Sequence, residues 1–162
     1  MRISREGVSL LVDFEIAAGE RAQSLRLAFD RNHDGRLDPG EQAALLENLA
    51  RTATLRTQLF LDGGAAALER RSVRGEKLDQ PASSDALLAV RVELSAPWPP
   101  AGFWRRVFGT ARRLELDDVD ETGHVPVTAE CIGCRVSEAS SGVADGNLVR
   151  GANTPLSLAV QL

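Results

Sequence analysis

The sequence predicts an α+β protein: an antiparallel, immunoglobulin-like β-sandwich with a helix-loop-helix inserted after its first strand. Three observations carry this reading. Apolar and polar residues alternate in several short segments, the period of a strand with one buried and one wet face. Turn-forming residues punctuate those segments. Residues 17–56 abandon alternation for the 3.6-residue spacing of helices.

The elements follow in order. Val8, Leu10, Val12, Phe14 and Ile16 share one parity, with Ser9, Asp13 and Glu15 on the other, and form the first strand. Residues 17–56 then turn to Ala, Leu, Glu, Gln and Arg. Their spacing predicts one helix over 19–29 and a second from Pro39 into the low fifties, with Leu45, Leu46 and Leu49 on one stripe. Alternation returns at Leu55, Leu59 and Leu61, separated by Thr57, and again at Leu88, Val90, Val92 and Leu94. Leu114 and Leu116 begin a shorter strand; Val125, Val127, Ala129 and Cys131 form another; Leu156, Leu158, Val160 and Leu162 close the chain. Asp62-Gly63-Gly64, residues 81–84, Pro97-Trp98-Pro99-Pro100, Gly123, Gly142 and Asp145-Gly146-Asn147 supply the turns. Short strands so punctuated suit an antiparallel sandwich or barrel.

A chain of 162 residues fits one domain, here 1–162 with 17–56 as an insertion within it. Its hydrophobic content of 43% is ample for a core. Tyr is absent and aromatics make up 4%, so Leu, Val and Ala must fill most of the interior. A net charge of −4 leaves no domain-wide basic field to release counterions, which argues against nucleic acid as partner. No apolar run approaches the length that spans a bilayer. Met1-Arg2-Ile3-Ser4-Arg5 leads into no apolar h-region and does not read as a signal peptide, although a mature exported form would look the same.

The most informative stretch is Asp30-Arg31-Asn32-His33-Asp34-Gly35-Arg36-Leu37-Asp38-Pro39-Gly40-Glu41. It resembles the twelve-residue EF-hand calcium loop at every diagnostic position. The resemblance implies side-chain oxygens from Asp30, Asn32 and Asp34, a backbone carbonyl from Arg36, a water-mediated contact from Asp38 and a bidentate carboxylate from Glu41. Gly35 stands where the chain turns sharply. Ca²⁺ is a hard cation that takes six to eight oxygens, and carboxylates supply both oxygen and charge. The second helix also has its start signals: Asp38 as N-cap, Pro39 at N1 and Glu41 at the capping-box position. Leu37 is the apolar residue expected to point from the loop into a core.

The plain alternative is an acidic surface turn before a helix. A five-position match arises by chance on the order of once in several thousand sequences of this length, so calcium binding is the preferred reading. EF-hands usually come in pairs, and no second loop exists. Residues 118–125 start well, but Pro126 and Val127 follow and Ala129 stands where the bidentate Glu belongs. The single hand is therefore expected to pack against the sheet or another chain.

Other chemistry is sparse. Cys131 and Cys134 flank Ile132-Gly133 as a two-residue turn would place them, a geometry that admits a disulfide. A disulfide or two free thiols is preferred over a redox pair, which expects a helix N-terminus, and over zinc, for which only His124 is near. Phe103, Trp104, Val107 and Phe108 fall at helical spacing with Arg105 and Arg106 between them. This cluster is read as plugging the open end of a sandwich, in preference to contact with a membrane surface or partner. No Ser/His/Asp or Cys/His set can be assembled, and no enzyme activity is expected.

The order strand, helix, calcium loop, helix, strand and hairpin turn is similar to the periplasmic domain of bacterial membrane proteins related to hydrogenase/urease accessory nickel transporters. Residues 8–16, 29–38 and Leu59-Phe60-Leu61-Asp62-Gly63-Gly64 carry the resemblance, over the first hundred residues or so. It implies a β-rich, bacterial, periplasmic or extracellular domain; the membrane segments of that family are missing here. The expected function is a calcium-binding module whose β-rich domain engages another protein. The alternative is a calcium-responsive sensor or adaptor that exposes apolar surface on binding.

Overall fold

The computed structural model describes residues 1–100, 112–118, 126–127, 130–132, 135–139, 143–144, 147–149 and 156–161. The fold is α+β, with two antiparallel sheets and two helices. Its strands are β1 (Arg2–Ile3), β2 (Gly7–Ile16), β3 (Thr57–Leu61), β4 (Gly64–Ala65), β5 (Glu69–Glu76), β6 (Leu88–Pro97), β7 (Arg112–Asp118), β8 (Pro126–Val127), β9 (Glu130–Cys131), β10 (Arg135–Ala139), β11 (Val143–Ala144), β12 (Asn147–Val149) and β13 (Leu156–Gln161). The helices are α1 (Glu20–Phe29) and α2 (Pro39–Arg56).

Strand order is β5-β6-β2-β1-β9 in one sheet and β10-β13-β7-β3-β4 in the other, with a small third sheet β11-β12-β8. Within the first, β9 departs from the antiparallel pattern by running parallel to β1, Ile3 opposite Cys131. The helices follow the second strand, not the first as expected. The extra strand is β1, whose two residues are too short to show alternation; Ile3 pairs with Val8 and is fully buried.

The chain divides into two compact units. One comprises Met1–Leu10, Arg56–Glu69 and Leu94–Leu162. Its second sheet is organised by leucine rows: Leu59 faces Leu116, which faces Leu156, and Leu61 faces Leu114, which faces Leu158. All but Leu116 are buried, and directly opposed apolar residues are what makes such ladders favourable. Between β3 and β4, Asp62 (φ 56°) and Gly63 (φ 83°) form the tight turn, two positive-φ residues matching the twist of a two-residue hairpin. In the same unit the Trp98 indole N–H donates to the Ser4 carbonyl at 2.9 Å. Arg112 lies 5.3 Å from the centre of the Trp98 ring and pairs with Asp62 at 2.9 Å.

The other unit comprises Leu11–Leu55 and Arg70–Glu93 and contains both helices. Helix α2 buries Glu41, Leu45, Leu49, Ala50 and Ala53, one stripe at helical spacing. Leu46 is half-buried and reaches Gly75 of β5, where a Cβ would come within 2.9 Å of its Cδ1. Leu55, expected in a strand, belongs instead to the last turn of α2 and is 71% exposed. Helix propensity carries the chain one turn further than the alternation suggested, and strand pairing begins only at Thr57.

Alternation is expressed fully in β6 and β13. Leu88, Val90, Val92, Leu94 and Ala96 are buried along β6, as are Leu156, Leu158 and Val160 along β13. On β2, Val8, Leu10 and Ile16 are buried while Val12 and Phe14 are half-buried. The expected strand through Val125 to Cys131 is instead two short pieces in different sheets, β8 and β9. The cluster Phe103, Trp104, Val107 and Phe108, and the pairing of Cys131 with Cys134, lie outside the described residues. No helix among the described residues is long and apolar enough to cross a membrane.

Candidate metal centre

The loop of residues 30–41 is delivered by α1 and closed by α2. Helix α1 begins at Gly19, whose N–H donates to the Asp85 carbonyl at 2.7 Å, and ends where the Asp30 N–H donates to the Arg26 carbonyl at 3.1 Å. Helix α2 begins with the capping box the sequence promised. One Asp38 carboxylate oxygen accepts the N–H of Gly40 at 2.7 Å and of Glu41 at 2.9 Å, and Glu41 accepts the Asp38 N–H at 3.0 Å. Orphan donors at both sides of the helix start are thereby satisfied.

Within the loop, side-chain oxygens turn toward backbone N–H groups. Asp30 Oδ2 accepts from Gly35 at 3.0 Å, Asn32 Oδ1 from Asp34 at 2.9 Å, and Asp34 Oδ1 from Arg36 at 2.8 Å. Glu41 Oε1 reaches back to accept from Arg31 at 2.8 Å and Asn32 at 3.3 Å, so the last residue of the twelve grips the first ones. Two residues take positive φ: Gly35 at 81° and His33 at 58°. His is among the side chains that tolerate this region, and His33 is exposed.

Burial is uneven. Asp34 and Asp38 are exposed, whereas Asp30 is 4% exposed and Glu41 7%. Leu37 is buried, as its position implied. The Asp30 Oδ1 atom is buried and accepts no hydrogen bond. An orphaned buried oxygen costs about 1–3 kcal/mol, more when charged, and a cation at that atom would offset the cost. Hard oxygen donors and one unmet carboxylate oxygen fit a hard divalent ion. Among the described residues, no three Asp, Glu, His or Cys side chains converge into a cage by themselves. The loop's donor set is broader than those types, since it draws on Asn32 and the Arg36 carbonyl. All six predicted ligand residues, Asp30, Asn32, Asp34, Arg36, Asp38 and Glu41, lie on this one loop.

What covers the loop carries no local sequence signal. Arg26, in the last turn of α1, is fully buried. Its guanidinium donates to four carbonyls of one segment: Ala86 at 2.6 Å, Ser84 at 3.1 Å, and Lys77 and Leu87 at 3.2 Å. Burial pulls its pKa down, and the charge of Asp85 opposes that shift. Gln23 donates to the Ser83 carbonyl at 2.9 Å. The fully buried Ala82 donates its N–H to the carbonyl of Gly35 in the loop itself, at 3.0 Å. Residues 77–87 thus supply a packing partner for α1 and the loop within the same unit. The turn at 81–84 was legible; its destination was not, because the Arg26 contacts join positions from 51 (Lys77) to 61 (Leu87) apart.

Two clefts flank these elements. One is lined by Arg31, Asn32, Asp38, Gly40, Glu41 and Ala44. The other, about 320 Å³, is lined by the apolar Phe14, Ile16, Leu25, Ala28 and Leu49 together with four polar side chains of α1 and α2. No protein-family model, no curated protein and no solved structure matches the chain.

Proposed function

We propose that residues 30–41 bind one Ca²⁺ ion and that the chain serves as a calcium-stabilised module for engaging another protein. The observation that carries this reading is Asp30 Oδ1, a buried carboxylate oxygen without a hydrogen bond in a loop of EF-hand pattern. Asp30, Asn32 and Asp34 would hold the ion through side-chain oxygens, Arg36 through its carbonyl, Asp38 through water and Glu41 through both carboxylate oxygens. The ion would supply positive charge that relieves repulsion among four carboxylates. The chain's own part is orientation: the Asp38–Glu41 capping box and the Gly35 turn fix where those oxygens stand. The same reading takes the sheets as an immunoglobulin-like sandwich in a periplasmic or extracellular protein. It draws on the buried alternation of β2, β6 and β13 and on the element order noted above.

Calorimetric titration of Ca²⁺, and separately Mg²⁺, into the chelator-stripped chain tests the claim. A one-to-one Ca²⁺ isotherm is expected, lost or weakened at least tenfold in Glu41→Gln, an effect of about 1.4 kcal/mol. No heat at millimolar Ca²⁺, or an unchanged isotherm in that variant, would sink it.

A second reading, a sensor that opens on binding, is favoured by Leu27 at 48% and Leu55 at 71% exposure and by the largely apolar cleft that Phe14 and Leu25 help to line. A sensor gains surface for an apolar dye when Ca²⁺ is added; a stabilising site does not.

A further inference from the structure

We propose that residues 77–87 form a strap whose order is governed by the calcium loop; this rests on the calcium reading above. Two independent grips join strap and loop. The first is Arg26. Removing a guanidinium from water is costly unless its donors are met; the strap carbonyls meet all four N–H groups on Nη1 and Nη2, while the buried Nε–H has no partner. Release of the strap therefore strands a buried charge in the helical turn that carries Asp30, whose N–H is itself bonded to the Arg26 carbonyl. Such a contact tends to be made as a unit.

The second grip passes through Gly35. Its N–H is held by Asp30 Oδ2 at 3.0 Å, and its carbonyl receives the Ala82 N–H at 3.0 Å. Holding Asp30 thus orients the Gly35 peptide, and the peptide orients the strap. Ala82 is wholly buried, so its N–H has no solvent to turn to when that carbonyl moves away. Gln23 with Ser83, and Gly19 with Asp85, extend the seam along α1.

Coupling of this kind is reciprocal. Whatever factor the ion adds to strap order, an ordered strap must add to ion affinity.

The test is hydrogen exchange by mass spectrometry on the full chain, chelator-stripped or in millimolar Ca²⁺, with calorimetry on the same samples. Expected is a measurable Ca²⁺ heat and a slowing on the order of tenfold for peptides spanning 78–87, with β13 unchanged. Arg26→Gln should keep a Ca²⁺ heat, exchange 78–87 rapidly in both states, and bind the ion more weakly by about the protection factor lost. If the far-ultraviolet circular dichroism of that variant shows lost helix, Gln23→Ala, which removes one bond of the seam, is expected to show the same changes at smaller size. Ca²⁺ heat with no change in 78–87 overturns the strap and leaves the calcium site standing. Absence of heat overturns both.

Discussion

Gly35 has a φ of 81°, and beyond its immediate chain neighbours no atom lies within 4 Å of where a Cβ would be added. Any penalty for a side chain there is therefore backbone strain alone. An L-residue in this region costs about 1–2 kcal/mol. Gly35→Ala is expected to lose about that much in denaturant unfolding, and to weaken calcium binding because Gly35 carries bonds to both Asp30 and Ala82. A loss of only a few tenths would mean the loop relaxes to another conformation. The residues of the loop were the most legible part of the chain, since turn, cap and ligand types are local choices written within twelve positions. Arg26 was illegible for the opposite reason. A long cationic side chain on a helix ordinarily keeps its head in water. What buries it is a set of carbonyls whose arrangement only the folded chain creates.

At the scale of elements, period decided what could be read. Strands β2, β6 and β13 announce themselves because one face is buried and the other is not. Strand β5 did not: its sequence Glu69-Arg70-Arg71-Ser72-Val73-Arg74-Gly75-Glu76 has one large apolar residue, Val73, and seven of its eight positions are exposed. It stands at the edge of its sheet, where charged side chains discourage further pairing. The end of α2 was misjudged because Leu55 continues a parity shared with Leu59 and Leu61. A matched pair of substitutions separates core from coincidence. Leu45→Ala, at a buried position, should cost about 2–5 kcal/mol. Leu55→Ala, at an exposed one, should stay within roughly 0.5 kcal/mol in the same unfolding assay. A large loss at Leu55 would place it in a contact.

For the molecule as a whole, the loop of residues 30–41 belongs to one of two compact units. Ligand binding to the folded state alone stabilises by about 2.7 kcal/mol at a hundredfold excess over Kd. For a chain of this size that corresponds to a rise in Tm of roughly 5 to 11 °C in scanning calorimetry, absent in Glu41→Gln. A stabilising role predicts the full rise; a rise near zero alongside a normal isotherm would argue that the ion binds without tightening the fold.

The placement of Trp98 has a practical corollary. The chain has two tryptophans, at positions 98 and 104, and no tyrosine. Neither lies within Leu11–Leu55 or Arg70–Glu93, which hold only phenylalanine among the aromatics Phe, Trp and Tyr. The unit that holds the loop is therefore optically dark in ordinary protein fluorescence. Trp98, capped by Arg112 and tied to Ser4, emits from a part of the chain that owns none of the predicted ligands. A shift in its emission on adding Ca²⁺ would record news that had already travelled beyond residues 30–41.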